Sequence, residues 1–303
     1  MPHPVIIIKD PLNYDYTQLI RKVIFDLTLA IDKIDIYIID EITNSNDLNS
    51  ILYHYYSVAR KLSILKGYDF RFDINVLFNI DSPLHLFKLI QTWNMAFVTD
   101  VENGILNLHD IPVVPISTEE TAITFPKMDQ QAKQRESFQV AAVGGTFDHI
   151  HDGHKILLSV SAFLTNYKLI VGITGNELLK NKKYHEVLES YAERQASVLR
   201  FLTLIVGSSR IQFEIYEIND ICGPTGYVKD INCLILSDET LSGGEYVNNY
   251  RKSRGFNELE TIIIRVVASG DKEEEEEGGD SNNYVWKLSS TAIRQEVAKR
   301  LQL

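Results

Sequence analysis

The sequence predicts an α/β protein built on parallel sheets, in two parts. Three observations predict it. Short apolar runs alternate with helical apolar stripes along most of the chain, as strand–helix–strand units require. Residues 140–161, VAAVGGTFDHIHDGHKILLSVS, run from apolar strand through a glycine turn and a polar loop into a helix. A polar stretch at about residues 117–137 separates the two parts.

Composition bounds the reading. The 303 residues suit one large or two ordinary domains, and 45% hydrophobic residues suffice for a packed core. A net charge of −11 argues against nucleic acid or an anionic membrane as the main partner. Two cysteines, Cys222 and Cys233, provide no disulfide framework, and a reducing cytosol is the simple reading. The opening MPHPVIIIKDPL lacks the basic flank of a signal peptide, and no run approaches the roughly 18 apolar residues of a membrane span.

In the first part, strands are expected at residues 5–8, 34–39, 74–78 and 96–99. A helical stripe runs through Leu19, Ile20, Val23, Ile24, Leu27 and Ile31, and further helices are expected at 47–65 and 84–93. Tyr53, Tyr55 and Tyr56 read as helix packing before they read as a stacking surface. Residues 1–124 carry no motif assignable to chemistry. The linker is placed at 125–137, with a helical piece near 129–135.

The second part, 138–303, opens with the strand 140–143, stopped by Gly144 and Gly145. A helix follows on Ile156, Leu157, Val160, Phe163 and Leu164. Ligands of parallel α/β folds bind at such a strand end, where free N–H groups and the helix dipole attract phosphate. His151 and His154, spaced i, i+3, share a face, and Gly153 lets a bulky anion approach the backbone. Imidazole N–H groups donate to phosphate, and a protonated ring offsets charge in a transition state. A metal pair is disfavoured, because the cysteines are distant and wrongly spaced for a zinc cluster.

Further strands are expected at 168–173, 213–218, 233–236 and 261–267. A helix at 191–204 would bury Tyr191, Ala192, Gln195, Val198, Leu199 and Leu202; another is expected at 245–254. The lysine-rich segment LLKNKKYHE (178–186) suits an anion or is a solvated loop. Arg251, Lys252 and Arg254 read as a cationic helix end. Seven acids against one lysine in 271–280 leave a local charge of −6, which predicts a disordered loop over 269–283. Last, Ser289, Ser290 and Thr291 open a helix. One hydroxyl there is first an N-cap, worth about 1 kcal/mol. Three hydroxyls with Arg294 a turn later can also cradle phosphates.

GGTFD followed by HDGH, with SSTAIR after it in that order, resembles the signature of the HxGH nucleotidylyltransferases. That resemblance implies a doubly wound, Rossmann-like parallel sheet, here preceded by a second α/β domain. It also implies nucleotidyl transfer with release of pyrophosphate. YEINDICGPT and SDET make the likeness closer to the archaeal and eukaryotic pantetheine-phosphate adenylyltransferases, over about 138–303; Asp238 replaces that family's usual first glutamate. Residues 1–124 resemble, weakly, the region preceding this module in eukaryotic relatives.

The family resemblance implies transfer of the adenylyl group of ATP to 4′-phosphopantetheine, giving 3′-dephospho-coenzyme A, in a cytoplasmic enzyme. His154 would donate to the α-phosphate, with His151 assisting, and Lys182 or Lys183 would bridge acceptor and α-phosphate. Ser289, Ser290, Thr291 and Arg294 would hold the β- and γ-phosphates. Gly145, Thr146, Phe147 and Gly153 would complete the ATP site, with Thr146 and Thr240 facing the acceptor. Magnesium is expected to arrive with ATP. A cytidylyltransferase of the same fold and a non-catalytic nucleotide-binding scaffold are the alternatives. Fused relatives carry a dephospho-coenzyme A kinase; no GxxxxGK[ST] string occurs here, so that kinase is expected as a separate partner protein.

Overall fold

The computed structural model describes residues 2–105, 108, 111–119, 121–123, 137–207, 211–266 and 288–302. The expected linker up to residue 136, the acidic segment 269–283 and the end of the strand expected at 261–267 lie outside them. The chain divides into two compact units, Met1–Arg135 and Glu136–Leu303.

The first unit runs β1 (His3–Ile8), α1 (Thr17–Asp26), β2 (Lys33–Ile38), α2 (Ser45–Lys66), β3 (Asp73–Leu77), α3 (Pro83–Ile90), β4 (Trp93–Thr99) and β5 (Val113–Ile116). All pairs are parallel, in the order β3-β2-β1-β4-β5. β1 is buried at every position, the pattern of a sheet covered on both faces. Asn44 caps α2, which ends at Gly67 with φ 103°. Ser82 caps α3 ahead of Pro83.

Three expectations here need correction. α1 stops at Asp26, because Leu27 turns extended, so Ile31 lies outside it. Trp93 opens β4 and does not close α3: its indole Nε1 donates to buried Asp35 at 2.9 Å, joining His3 and Asn75 on that carboxylate. β5 has no sequence signature, being three half-buried residues and an exposed Pro115, which suits an edge strand. Tyr55 and Tyr56 are fully buried, and the Tyr56 hydroxyl accepts from the Val76 amide at 3.2 Å, so these rings pack the core.

The second unit runs β6 (Phe138–Gly145), α4 (Asp152–Leu164), β7 (Thr165–Thr174), α5 (Tyr191–Val206), β8 (Gln212–Ile218), β9 (Cys233–Ser237), α6 (Leu241–Ser253), β10 (Glu260–Ile264) and α7 (Ser290–Leu301). Its sheet is also parallel, ordered β10-β9-β6-β7-β8. The first strand is central and the chain winds outward on both sides of it, as a doubly wound sheet does. α4 is buried at every position from Lys155 onward.

Gly144 and Gly145 do not stop β6; they continue it, paired with Gly172 and Ile173. The buried face of α5 is Arg194, Val198, Phe201, Leu202 and Ile205, whereas Leu199 is exposed. α6 begins four residues before Glu245 and includes Gly243 and Gly244. A Cβ on Gly244 would stand 2.6 Å from Leu236 Cδ1, so glycine lets the helix lie close on β9. Arg251 is not part of a solvated helix end. It is fully buried and donates to the carbonyls of Thr225, Val228, Lys229 and Asn257.

Candidate active site

The site forms where β6 gives way to α4, at the point where the strand order reverses between β6 and β9. The intervening loop is backbone-strained: Phe147 has φ 51° and His149 φ 45°. Left-handed backbone at non-glycine residues costs about 1–3 kcal/mol and persists only where the surroundings impose it.

His151 is the N-cap of α4, and its side chain makes no capping hydrogen bond. The helix therefore presents its first N–H groups without an acceptor from that side chain. His154 sits one turn in. The two imidazoles stack, with centroids 3.9 Å apart and planes 27° apart, and the Phe147 ring lies 5.3 Å from His154. Nδ1 of His154 is enclosed without a hydrogen-bond partner among the described residues. Burial, with the charge of His151 adding to it, holds His154 well below the ordinary histidine pKa, so its ring is neutral at pH 7. Gly153, between the two histidines in sequence, is buried, and Gly145 supports Phe147: a Cβ on Gly145 would meet the phenyl ring at 3.1 Å.

α7 meets the same loop. Ser289 is its N-cap, accepting from the Ala292 amide at 3.3 Å. The Ser290 hydroxyl donates to the Asp148 carbonyl at 2.8 Å. Arg294, only 2% exposed, donates to the Asp148 carboxylate, to the Lys183 carbonyl at 2.9 Å and to Thr291 Oγ1 at 3.1 Å. Thus Thr146, Phe147, His151, His154, Ser289, Ser290, Thr291 and Arg294 belong to connected elements. The side chains of Lys182 and Lys183 are exposed and reach no partner among the described residues. Thr240 is exposed in the turn before α6, with its hydroxyl 3.1 Å from the Ser237 carbonyl that accepts it. No hydrogen bond ties these three side chains to the α4 and α7 termini among the described residues.

Four residues that the sequence assigned no role shape the loop. Asp148 is fully buried and accepts from the Glu189 amide at 2.9 Å as well as from Arg294. The Glu189 carboxylate accepts from the His149 amide at 2.7 Å. His149 Nε2 donates to the Val187 carbonyl at 2.9 Å. Arg194, fully buried on α5, donates to the carbonyls of Thr146, Thr174 and Glu189. A signal for Arg194 was present: it shares helical spacing with Val198, Phe201, Leu202 and Ile205, a charge on an apolar face.

Residues 142–296 match the cytidylyltransferase-like family. The Saccharomyces cerevisiae protein named phosphopantetheine adenylyltransferase is 38% identical over 271 residues, which is 87% of this chain and 82% of that protein. That span is longer than the second unit and so takes in part of the first. Proteins of the same name from Thermococcus gammatolerans and Pyrococcus abyssi are 34% and 36% identical, each over 45% of this chain, and 82% and 85% of those proteins are covered. No helix among the described residues is long and apolar enough to cross a membrane. With the nucleotidylyltransferase signature set at the switch point of a doubly wound sheet, and with most of the yeast protein aligned, the chain belongs to the phosphopantetheine adenylyltransferase family.

Proposed function

We infer that the protein transfers the adenylyl group of ATP to 4′-phosphopantetheine, giving 3′-dephospho-coenzyme A and pyrophosphate. The observation that carries this reading is the stacked His151–His154 pair at the head of α4, tied through Asp148 to the Ser290–Arg294 turn. An acceptor phosphate oxygen attacks the α-phosphorus. The new P–O bond forms as the bond to the bridging oxygen of the β-phosphate breaks, and pyrophosphate leaves with that electron pair. No enzyme nucleophile is needed, because the ionised phosphomonoester already is one; positioning and charge stabilisation lower the barrier.

Neutral His154 donates an N–H to the α-phosphate, and His151 supports it and the β-phosphate. Gly145, Thr146, Phe147 and Gly153 shape the ATP pocket. Lys182, with Lys183 as its neighbour and alternative, brings a cation to acceptor and α-phosphate; Thr146 and Thr240 orient the acceptor. Ser289, Ser290 and Thr291 offer the α7 terminus to the β- and γ-phosphates. Arg294 has five N–H donors and uses three on protein, which leaves two for those phosphates. Magnesium would neutralise phosphate charge. Asp148 is committed to Arg294, and the ion would be held mainly by the phosphates of ATP and by water. The buried thiols of Cys222 and Cys233 suit a reducing cytoplasm, where a separate dephospho-coenzyme A kinase would take the product.

Pyrophosphate release by the purified protein tests the reading. Release is expected only with ATP and 4′-phosphopantetheine together. Release with CTP and another phosphorylated acceptor would replace the substrates, and none with any pair would leave a nucleotide-binding scaffold.

A further inference from the structure

Two buried arginines, 100 residues apart in sequence, reach one strained loop from α5 and α7. Arg194 comes from α5 and holds the Thr146 carbonyl at 2.8 Å, with the same NH1 on the Thr174 carbonyl at 2.8 Å, so it ties the loop after β6 to the end of β7. Arg294 comes from α7 and holds the Asp148 carboxylate. Between these grips, Glu189 reciprocates with Asp148 and His149, and Ser290 fixes the Asp148 carbonyl. The two left-handed residues, Phe147 and His149, stand between and beside the gripped positions. Strain of this kind relaxes unless something opposes it.

Stability alone does not account for the arrangement. A buried ion pair is often no better for stability than well-packed apolar side chains, because both ions lose their hydration. Its surplus lies in geometry: guanidinium forks hold carbonyl and carboxylate oxygens in fixed directions. Phe147 packs against His154, and Thr146 borders the same turn, so the position of this loop sets the position of the anion-facing groups.

We propose that Arg194 and Asp148 are positioning residues, which clamp residues 146–149 in a strained conformation so that the imidazole pair and the α7 turn face one phosphate chain. Neither need touch substrate. This rests on the reading of the site as the adenylyl-transfer centre.

The test uses the full chain with Arg194→Lys and Asp148→Asn, reading steady-state kinetics beside amide hydrogen exchange. Lysine keeps the charge of Arg194 but not its fork. Arg194→Lys is expected to lower kcat about 100-fold, the scale of an ångström-sized misplacement, with KM for ATP within about threefold. Exchange should quicken across residues 146–151 and not in β6 or β7. A folded Arg194→Lys protein with ordinary kcat, or with unaltered exchange in that loop, overturns the proposal. Asp148→Asn leaves the buried Arg294 charge unpaired and can unfold the unit. Wild-type exchange covers that case: the clamp requires the His149 amide to exchange as slowly as amides inside β6, and fast exchange there overturns it. A wild type without adenylyl transfer would sink the functional reading, while the exchange data would still decide the clamp.

Discussion

The two units wind five parallel strands in the same order, 3-2-1-4-5 counted within each, and finish the crevice after the first strand in opposite ways. In the second unit that crevice presents imidazoles, glycines and an uncapped helix start. In the first, the Tyr16 hydroxyl accepts from the amides of Lys9 and Asp10 at 3.3 and 3.1 Å and donates to Glu102. Thr99 also donates to Glu102, and the Asp15 carboxylate accepts from the Thr17 amide at the head of α1. The amides of Lys9, Asp10 and Thr17 therefore already face oxygen, in a cluster that carries the carboxylates of Asp10, Asp15 and Glu102. Burial, reinforced by the hydrogen bond to Glu102, raises the Tyr16 pKa far above the ordinary tyrosine value and keeps its donor in place. Strand order makes a crevice; side chains decide whether an anion can enter it.

The largest effect is expected from damage to the second crevice. His154→Ala should remain folded by circular dichroism and lose about 10²–10³ in kcat, the usual cost of removing one preorganised donor. Unimpaired pyrophosphate release would remove His154 from the chemistry. Titration calorimetry with ATP and magnesium should give one site per chain; a second site that survives His154→Ala would show that the first crevice binds nucleotide after all.

A smaller effect is expected from Tyr16→Phe, which strips the acceptor from two backbone amides and the donor from Glu102. The cost should be about 1–3 kcal/mol in urea unfolding, with turnover unchanged. Loss of turnover with stability intact would contradict a plugged, non-catalytic crevice.

The smallest effect is a pH dependence. His154 titrates lower folded than unfolded, so the unfolded chain binds its proton first as pH falls. The contribution of this ring to stability is whole above about pH 6.5 and is lost as pH falls toward the folded value, by no more than about 1.4 kcal/mol per pH unit. Denaturant midpoints at pH 7.5 and 5.5 should differ less in His154→Gln than in wild type. An equal difference in both would mean that the ring is not shielded.

Local features of the second unit were legible in the sequence. The apolar spacing around GGTFDHIHDGH shows a strand, a polar loop and a helix, although its first two glycines extend the strand, and SSTAIR announces a helix start. What could not be read is pairing across distance. Asp148 and Arg294 are 146 residues apart, and nothing in either neighbourhood says that they meet. Arg251 looked like a helix-end cation because its four carbonyl partners lie in two loops that sequence periodicity does not place. Trp93 followed a helical stripe and became a strand through Asp35, 58 residues earlier. Pro115 hid β5, since an edge strand needs neither alternation nor a full set of donors.

The separation of Asp148 from Arg294 also has a meaning in time. A chain made from its amino end releases the whole β6–α4 turn long before α7 exists. Until Arg294 emerges, Asp148 has the Glu189 amide, the His149 ring at 3.9 Å and the field of Arg194, but not the guanidinium that contacts it directly, a poorer state for a carboxylate that must end fully buried. The turn holding the histidines is gripped by Arg194 and Glu189 first and is completed when α7 docks. An interrupted chain lacking α7 would be an unsettled fold exposed to proteolysis, and not a slow enzyme. The same ion pair that shapes the site thus acts as a check on whether synthesis has reached α7.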